Sequence, residues 1–183
     1  MSFDRIVGQE HVKTQIGAWL STERMPHAVL VSGPEAVGKR HLAVELAKAV
    51  NCRRGSDPCD RCSSCLKIDS LSHPDFHTLL PLPSGSAKLD SAQVLTGLRE
   101  ATLAYLQKEE PVLRNSNIAR EHIRFIHREM SYAPTEARRR IAVAFDADCM
   151  HRAGANSLLK ILEEPPKQAV FILVSAHPDR LLP

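Results

Sequence analysis

The chain has 183 residues, 43% of them hydrophobic and 25% charged, which suits one α/β domain with a sizeable core. A formal net charge of +3 is too small to argue for nucleic acid by itself, and an aromatic content of 4% leaves little for a base-stacking platform. No apolar run approaches the ~20 residues of a membrane span, and the start Met1-Ser-Phe-Asp-Arg-Ile6 has no signal-peptide character, so a cytoplasmic protein without membrane contact is expected.

Phe3, Ile6, Val7 and Gly8 precede an amphipathic helix expected from about Gln9 to Leu20, apolar at Val12, Ile16, Trp19 and Leu20. Ala28–Val31 reads as a buried strand, and Leu42, Ala43, Leu46, Ala47 and Val50 then recur at helical spacing. Asn51–Cys65 is rich in Cys, Gly and Asp and shows no period. A short helix over Cys62–Leu71 and a strand over Asp75–Leu80 follow. Pro81–Ala87 reads as a Pro/Gly/Ser linker. A helix is expected from about Ser91 to Gln107, apolar at Val94, Leu95, Leu98, Ala101, Tyr105 and Leu106, then a loop over Pro111–Asn117. Ile123, Ile126 and Met130 mark a helix that Pro134 stops. Arg138–Asp146 is a basic-flanked strand ending in an acid, and its arginine run reads as a solvated entrance. Ala153–Leu162 is a helix ended by Pro165-Pro166, and Val170–Ser175 is a fourth strand. Strands alternating with helices predict a three-layer α/β fold with a parallel sheet.

Between the first strand and its helix lies Gly33-x4-Gly38-Lys39, a phosphate-cradling loop in its required strand–loop–helix context. Its glycines let backbone N–H groups turn inward around a polyphosphate, and Lys39 reaches the outer phosphates. The motif wants Ser or Thr next, whose hydroxyl holds Mg²⁺, but Arg40 stands there. Asp146, at the carboxyl end of a strand, fits the second nucleotide signature as a metal-holding acid. The glutamate that orients the attacking water in hydrolysing members is replaced by Ala147, so no catalytic residue is assigned beyond Asp146 as a degenerate acid.

Five cysteines include four within residues 52–65, at the spacing Cys52-x6-Cys59-x2-Cys62-x2-Cys65. Four thiolates on such short loops can close a tetrahedron around Zn²⁺; an iron–sulfur centre is the alternative that the tight run also admits. A closed four-cysteine site leaves no open position for substrate, so the expected role is structural. Cys149 stands alone and reads as a half-buried small side chain. His73 and His177 both precede Pro and read as turn residues.

Phe3-x2-Ile6-Val7-Gly8-Gln9, the loop ending Gly-Lys-Arg, the four-cysteine insert and Ser72-His-Pro-Asp-Phe76 together resemble the bacterial DNA polymerase III clamp-loader subunits of the AAA+ class. So do Ala153-Gly-Ala-Asn-Ser-Leu-Leu-Lys-Ile-Leu-Glu-Glu-Pro-Pro166, Phe171–Ser175 and Leu181–Pro183. The resemblance covers nearly the whole chain apart from about 80–117, which looks like an insertion, and it places the zinc module at about 51–66. It implies a P-loop NTPase domain over 1–183 that binds ATP or ADP, if at all, through Val7, Gly8, Gly33, Gly38, Lys39, Arg40 and Asp146. Arg40 and Ala147 are most similar to the delta-prime, or stator, kind of subunit. The implied partners are gamma/tau and delta subunits, the sliding clamp and primed DNA, and the implied role is loading that clamp in DNA replication. At the first sensor position either Ser175 or Ala176 would stand.

Family members continue past Leu-Leu-Pro into an arginine-finger segment, a last strand, a helical lid and a collar domain, so the chain is expected to be an N-terminal fragment. That last strand covers the outer side of the phosphate-loop strand, which is therefore expected here as a sheet edge. Three rivals remain: an active motor ATPase of the same assembly, a P-loop small-molecule kinase, and a zinc-stabilised regulator that uses nucleotide as a switch.

Overall fold

A computed structural model describes residues 3, 6–55, 57–83, 91–107 and 116–181, with backbone alone at 83 and 91–95. The linker read at 81–87, the loop read at 111–117, the side chains of Val94 and Leu95, and Leu182-Pro183 lie partly or wholly outside them.

The helices are α1 (Glu10–Ser21), α2 (Lys39–Asn51), α3 (Ser63–Asp69), α4 (Ser91–Leu106), α5 (Arg120–Met130) and α6 (Arg152–Glu163). The strands are β1 (Ala28–Ser32), β2 (Phe76–Leu79), β3 (Leu82–Pro83), β4 (Ser116–Asn117), β5 (Arg140–Ala144) and β6 (Ala169–Ser175). Each predicted helix and main strand is present, with ends shifted by a residue or two, as fraying termini allow. The two-residue pair β3–β4 was not foreseen; it closes antiparallel across the ends of the segment read as an insertion.

The main sheet is parallel in the order β1-β6-β5-β2. Both faces are covered, so β5 and β6 read as near-continuous apolar runs rather than alternating ones, while β2 is buried throughout although it carries His77 and Thr78. Period-two alternation still sorts them. Ile141, Val143, Phe145, Val170, Ile172 and Val174 face α1, α2 and α4. Ala142, Ala144, Ala169 and Phe171 face α5 and α6. The small alanines let that second pair approach closely, and Gly154 of α6 takes the approach furthest. A Cβ there would meet Ile123 Cδ1 at 2.9 Å, so a larger residue would have to push the end of that buried side chain aside.

The segment read as an insertion thus holds α4, which is part of the core: Leu98 and Tyr105 are buried in it. The Thr78 and Thr102 hydroxyls pair at 2.8 Å between β2 and α4. The reading of Arg138–Arg140 as solvated holds for Arg138 and fails for Arg140, which is buried. Its guanidinium donates to Glu129 O at 2.8 Å and Ala133 O at 3.1 Å and lies 3.4 Å from the Asp75 carboxylate. Asp75 in turn accepts the backbone N–H groups of Thr135, Glu136 and Ala137 at 2.7–2.9 Å. Burial opposes the charge on Asp75, but those three N–H groups and Arg140 outweigh it and hold the carboxyl below its ordinary range. The His-Pro-Asp stretch is therefore a structural clasp on the turn that feeds β5.

Candidate functional site

The phosphate loop spans the gap between β1 and α2. Gly33 (φ 151°) and Gly38 (φ 86°) hold backbone conformations that side chains rarely adopt, which explains both glycines of the motif. Gly38 caps α2, whose first residue is Lys39, so free amides of the helix end face the loop. The Lys39 ammonium donates to Gly33 O at 2.7 Å and Pro34 O at 2.5 Å, spanning the loop from within. These carbonyls are weak partners for an ammonium that an anion can draw away.

Arg40 does not stand free. Its guanidinium carbon lies over the Tyr105 ring, 3.6 Å from the centroid, and its Nη2 is 3.5 Å from Asp146 Oδ2. The Tyr105 hydroxyl donates to the same carboxylate oxygen, and its ring packs on Phe145 with centroids 5.6 Å apart. Burial, reinforced by Asp146, holds the Tyr105 phenol well above its ordinary range, so it is a proton donor at every working pH. Three segments far apart in sequence thus meet at one oxygen. Asp146 itself adopts a left-handed conformation (φ 45°), which short polar side chains tolerate. The arrangement does not fit a magnesium ion: the hydroxyl ligand is replaced by a cation, and the acid is already engaged by two donors.

Ala147 is fully buried at the start of a short 3₁₀ turn, so no carboxylate occupies the water-orienting place. Asp148, in that turn, accepts the Ser175 hydroxyl at 2.6 Å, and that hydroxyl oxygen accepts the His177 N–H at 2.9 Å. Ser175 is the buried last residue of β6 and stands level with Ser32 of β1. Val7 is 94% exposed and Gly8 has open space around it. A cavity of about 180 Å³ opens beside them, lined by Ile6, Gln9, Trp19, Leu30, Gly38 and Lys39 among others, along the outer edge of β1.

The second site lies at the far end of α2. Cys52 caps that helix, Cys59 sits in the following loop, and Cys62 and Cys65 open α3. Their four sulfurs lie within 4.8 Å of one another. Cys59 Sγ accepts the Cys62 N–H at 3.3 Å, and Cys62 Sγ accepts the Cys65 N–H at 3.5 Å. Such donors favour thiolates. Against burial, which raises it, the backbone N–H groups of Arg53 and Cys65 bring the Cys62 thiol down to about 6. Burial pushes the Cys52 and Cys65 thiols up. A tetrahedron with ~2.3 Å metal–sulfur bonds has its sulfurs about 3.8 Å apart, so the four thiols fit a structural metal with slight closure. Beneath the loop, the fully buried Lys48 ammonium meets Glu45 and Asp60 at 2.7 Å and Asp69 at 3.0 Å, tying α2, the cysteine loop and α3 together. Cys149, by contrast, is half-buried and its thiol is pushed up by burial and by Asp148, which leaves it inert.

Of the site residues expected from sequence, Gly33, Gly38, Lys39, Arg40 and Asp146 converge on one end of the sheet, and the four cysteines on another place. Val7 and Gly8 do not line the cavity, although their neighbours Ile6 and Gln9 do. Tyr105 and Lys48 were missed. Tyr105 sits in an ordinary helical apolar pattern, and Lys48 looks like any lysine near a helix end.

Among known proteins, the gamma/tau subunit of DNA polymerase III from Mycobacterium tuberculosis is 32% identical over the whole of this chain and 26% of its own length. The delta-prime subunit of DNA polymerase III from Bacillus subtilis is 30% identical over 89% of this chain and 40% of its own. A solved gamma subunit-related protein of DNA polymerase III from Thermotoga maritima superposes with a TM-score of 0.50 at 19% identity, over 95% of this chain and 41% of its own, and supports the fold. The chain thus spans about a quarter of the gamma/tau relatives it matches. The resemblance read from the sequence stands: a family profile described as DNA polymerase III, delta subunit, matches residues 8–183, and the chain belongs to that family.

Proposed function

We propose that this chain is the AAA+ nucleotide-binding module of a clamp-loader subunit, of the delta-prime or scaffold kind, acting in DNA replication. Its lid and collar would lie in domains beyond this module. Its partners would be gamma/tau and delta subunits, the sliding clamp and primed DNA. The cysteine cluster would hold Zn²⁺ in a structural role, with all four positions filled by protein. Nucleotide would be held by the phosphate loop and Lys39 with little or no turnover.

The observation that carries this reading is Arg40 against Asp146. Hydrolysis needs Mg²⁺ bridging the outer phosphates, a positioned water and a neutraliser of transition-state charge. Here a guanidinium stands in the place of the hydroxyl ligand, and Ala147 supplies no base. The names of the gamma/tau relatives favour a second reading, an active motor of the same assembly. Steady-state ATP hydrolysis by the purified protein, alone and with sliding clamp and primed DNA, decides between them. The scaffold reading expects turnover well below ~1 s⁻¹, unchanged by Lys39→Ala. Turnover at or above that rate, lost in Lys39→Ala, would establish the motor. Membership of the assembly is tested separately, by co-purification with polymerase III subunits and the clamp.

A further inference from the structure

Arg40 stands where the phosphate-loop motif places a hydroxyl, and its guanidinium reaches the acid that follows β5. In a metal-dependent site that position provides a ligand for the ion. Here it provides a permanent positive charge, and the surroundings are built to keep it there. The Tyr105 face lies 3.6 Å from the guanidinium carbon, the Asp146 carboxylate lies 3.5 Å from Nη2, and the ring itself is fixed against Phe145. A guanidinium has five N–H donors. The hydrogen bond to Asp146 uses one of them, and the side chain is 39% exposed, so an anion can reach the solvent-facing side of the guanidinium.

A divalent ion has the opposite prospect. Entering beside Asp146, it would meet the guanidinium charge, and Oδ2, the oxygen that Arg40 and the Tyr105 hydroxyl share, is already engaged. Nor would it gain a hydroxyl ligand from the loop. Arg binds phosphate by forked, charge-assisted hydrogen bonds, which give orientation as well as charge.

We propose that Arg40, clamped by Tyr105 and Asp146, is the resident cation of the nucleotide site, so that this module binds the polyphosphate of a nucleoside di- or triphosphate without a divalent metal. Lys39 contacts the phosphates from the loop side and Arg40 from the β5 side. Tyr105 is a positioning residue: it holds Arg40 in place and occupies the acid that a metal would need. The inference rests on reading the Gly33–Arg40 loop as a nucleotide site.

The test is calorimetric titration of the purified protein with ADP and with ATP, in EDTA and again in excess Mg²⁺. Binding in EDTA at least as tight as in Mg²⁺ is expected. Arg40→Ala should weaken binding in EDTA by about tenfold or more, and Arg40→Thr should make binding depend on Mg²⁺. Tyr105→Phe keeps the ring and its packing but releases Asp146, so Mg²⁺ should begin to compete with Arg40 and change the affinity. Thermal melts confirm that each variant is folded.

Binding that requires Mg²⁺ in the unaltered protein, or no binding of either nucleotide in EDTA, overturns the proposal. These outcomes are separate from those that judge the subunit reading. A protein that joins polymerase III subunits but needs Mg²⁺ for ADP would sink only this inference. A protein that binds ADP in EDTA but joins no such assembly would sink only the other.

Discussion

His77 lies in β2 with its Nε2 buried and without a hydrogen-bond partner among the described residues. Burial, and then the nearby Arg140 charge, bring its imidazole down from 6.5 to about 4. The folded protein therefore holds His77 neutral where the unfolded chain would already be protonated. Stability is intact above about pH 6.5 and falls as the pH drops toward 4, where the folded form takes up its proton too. The loss traceable to this residue is about 3 kcal/mol at most. His77→Phe should flatten that part of the stability curve, read as urea midpoints between these pH limits; an unchanged acid slope would show that His77 is not its source. Single residues were unevenly legible in the sequence. Arg40 stood out because the motif names what belongs at its position. Tyr105, His77 and Arg140 did not, since their roles come from long-range partners: 41 residues separate Tyr105 from Asp146. A strand pattern would put Arg138 and Arg140 on one face, and could not reveal that Asp75 waits beneath the second of them.

The elements with a strong period were legible and the others less so. α1, α2, α5 and α6 carry apolar stripes that a helix alone explains, and β1, β5 and β6 are short, largely apolar runs between turn signals. β3 and β4 have two residues each, too few for any pattern, and exist because the ends of one excursion meet. The cysteine module is the opposite case: an element with no period, read correctly as a group because thiol spacing is a constraint in itself. What spacing could not foretell is its anchor. Lys48 is buried, yet Asp60, Glu45 and Asp69 outweigh the burial that would lower it and hold its amine above the ordinary range. The module therefore rests on a thiol group able to hold a metal above and an ion cluster below. Elemental analysis should find about one zinc per chain, and chelation should lower the melting temperature by about 10 °C or more. Hydrogen exchange should quicken first across residues 52–69. Lys48→Met removes the shared partner of three carboxylates and should cost about 3 kcal/mol even with zinc bound. Iron in place of zinc, or a folded protein free of metal, would refute the structural-zinc reading.

At the scale of the whole molecule, the order β1-β6-β5-β2 leaves the phosphate-loop strand at one border of the sheet among the described residues, as the sequence had led one to expect. The pairing also shows which groups are exposed there. His27 O accepts the Phe171 N–H at 2.8 Å, and Ala28 stands level with Phe171. In a parallel ladder this turns Val29 and Val31 toward β6 and leaves the N–H and C=O groups of Ala28, Leu30 and Ser32 facing outward. Leu30 is 47% exposed, and the cavity beside it is walled by Val12, Ile16 and Trp19. An open, apolar edge of this kind is a template for another strand, and none of the usual guards, such as proline or inward charge, stands in β1. The purified chain should therefore associate reversibly as its concentration rises, with β1 as the contact. Proline lacks the N–H that a new strand would accept, and at position 30 that group serves no bond to β6. Leu30→Pro should thus suppress association while costing no more than about 1–2 kcal/mol of stability. Sedimentation velocity over a wide concentration range measures the first effect and thermal melts the second. A chain that stays monomeric throughout, or associates equally well as Leu30→Pro, would mean that this edge is not where copies meet.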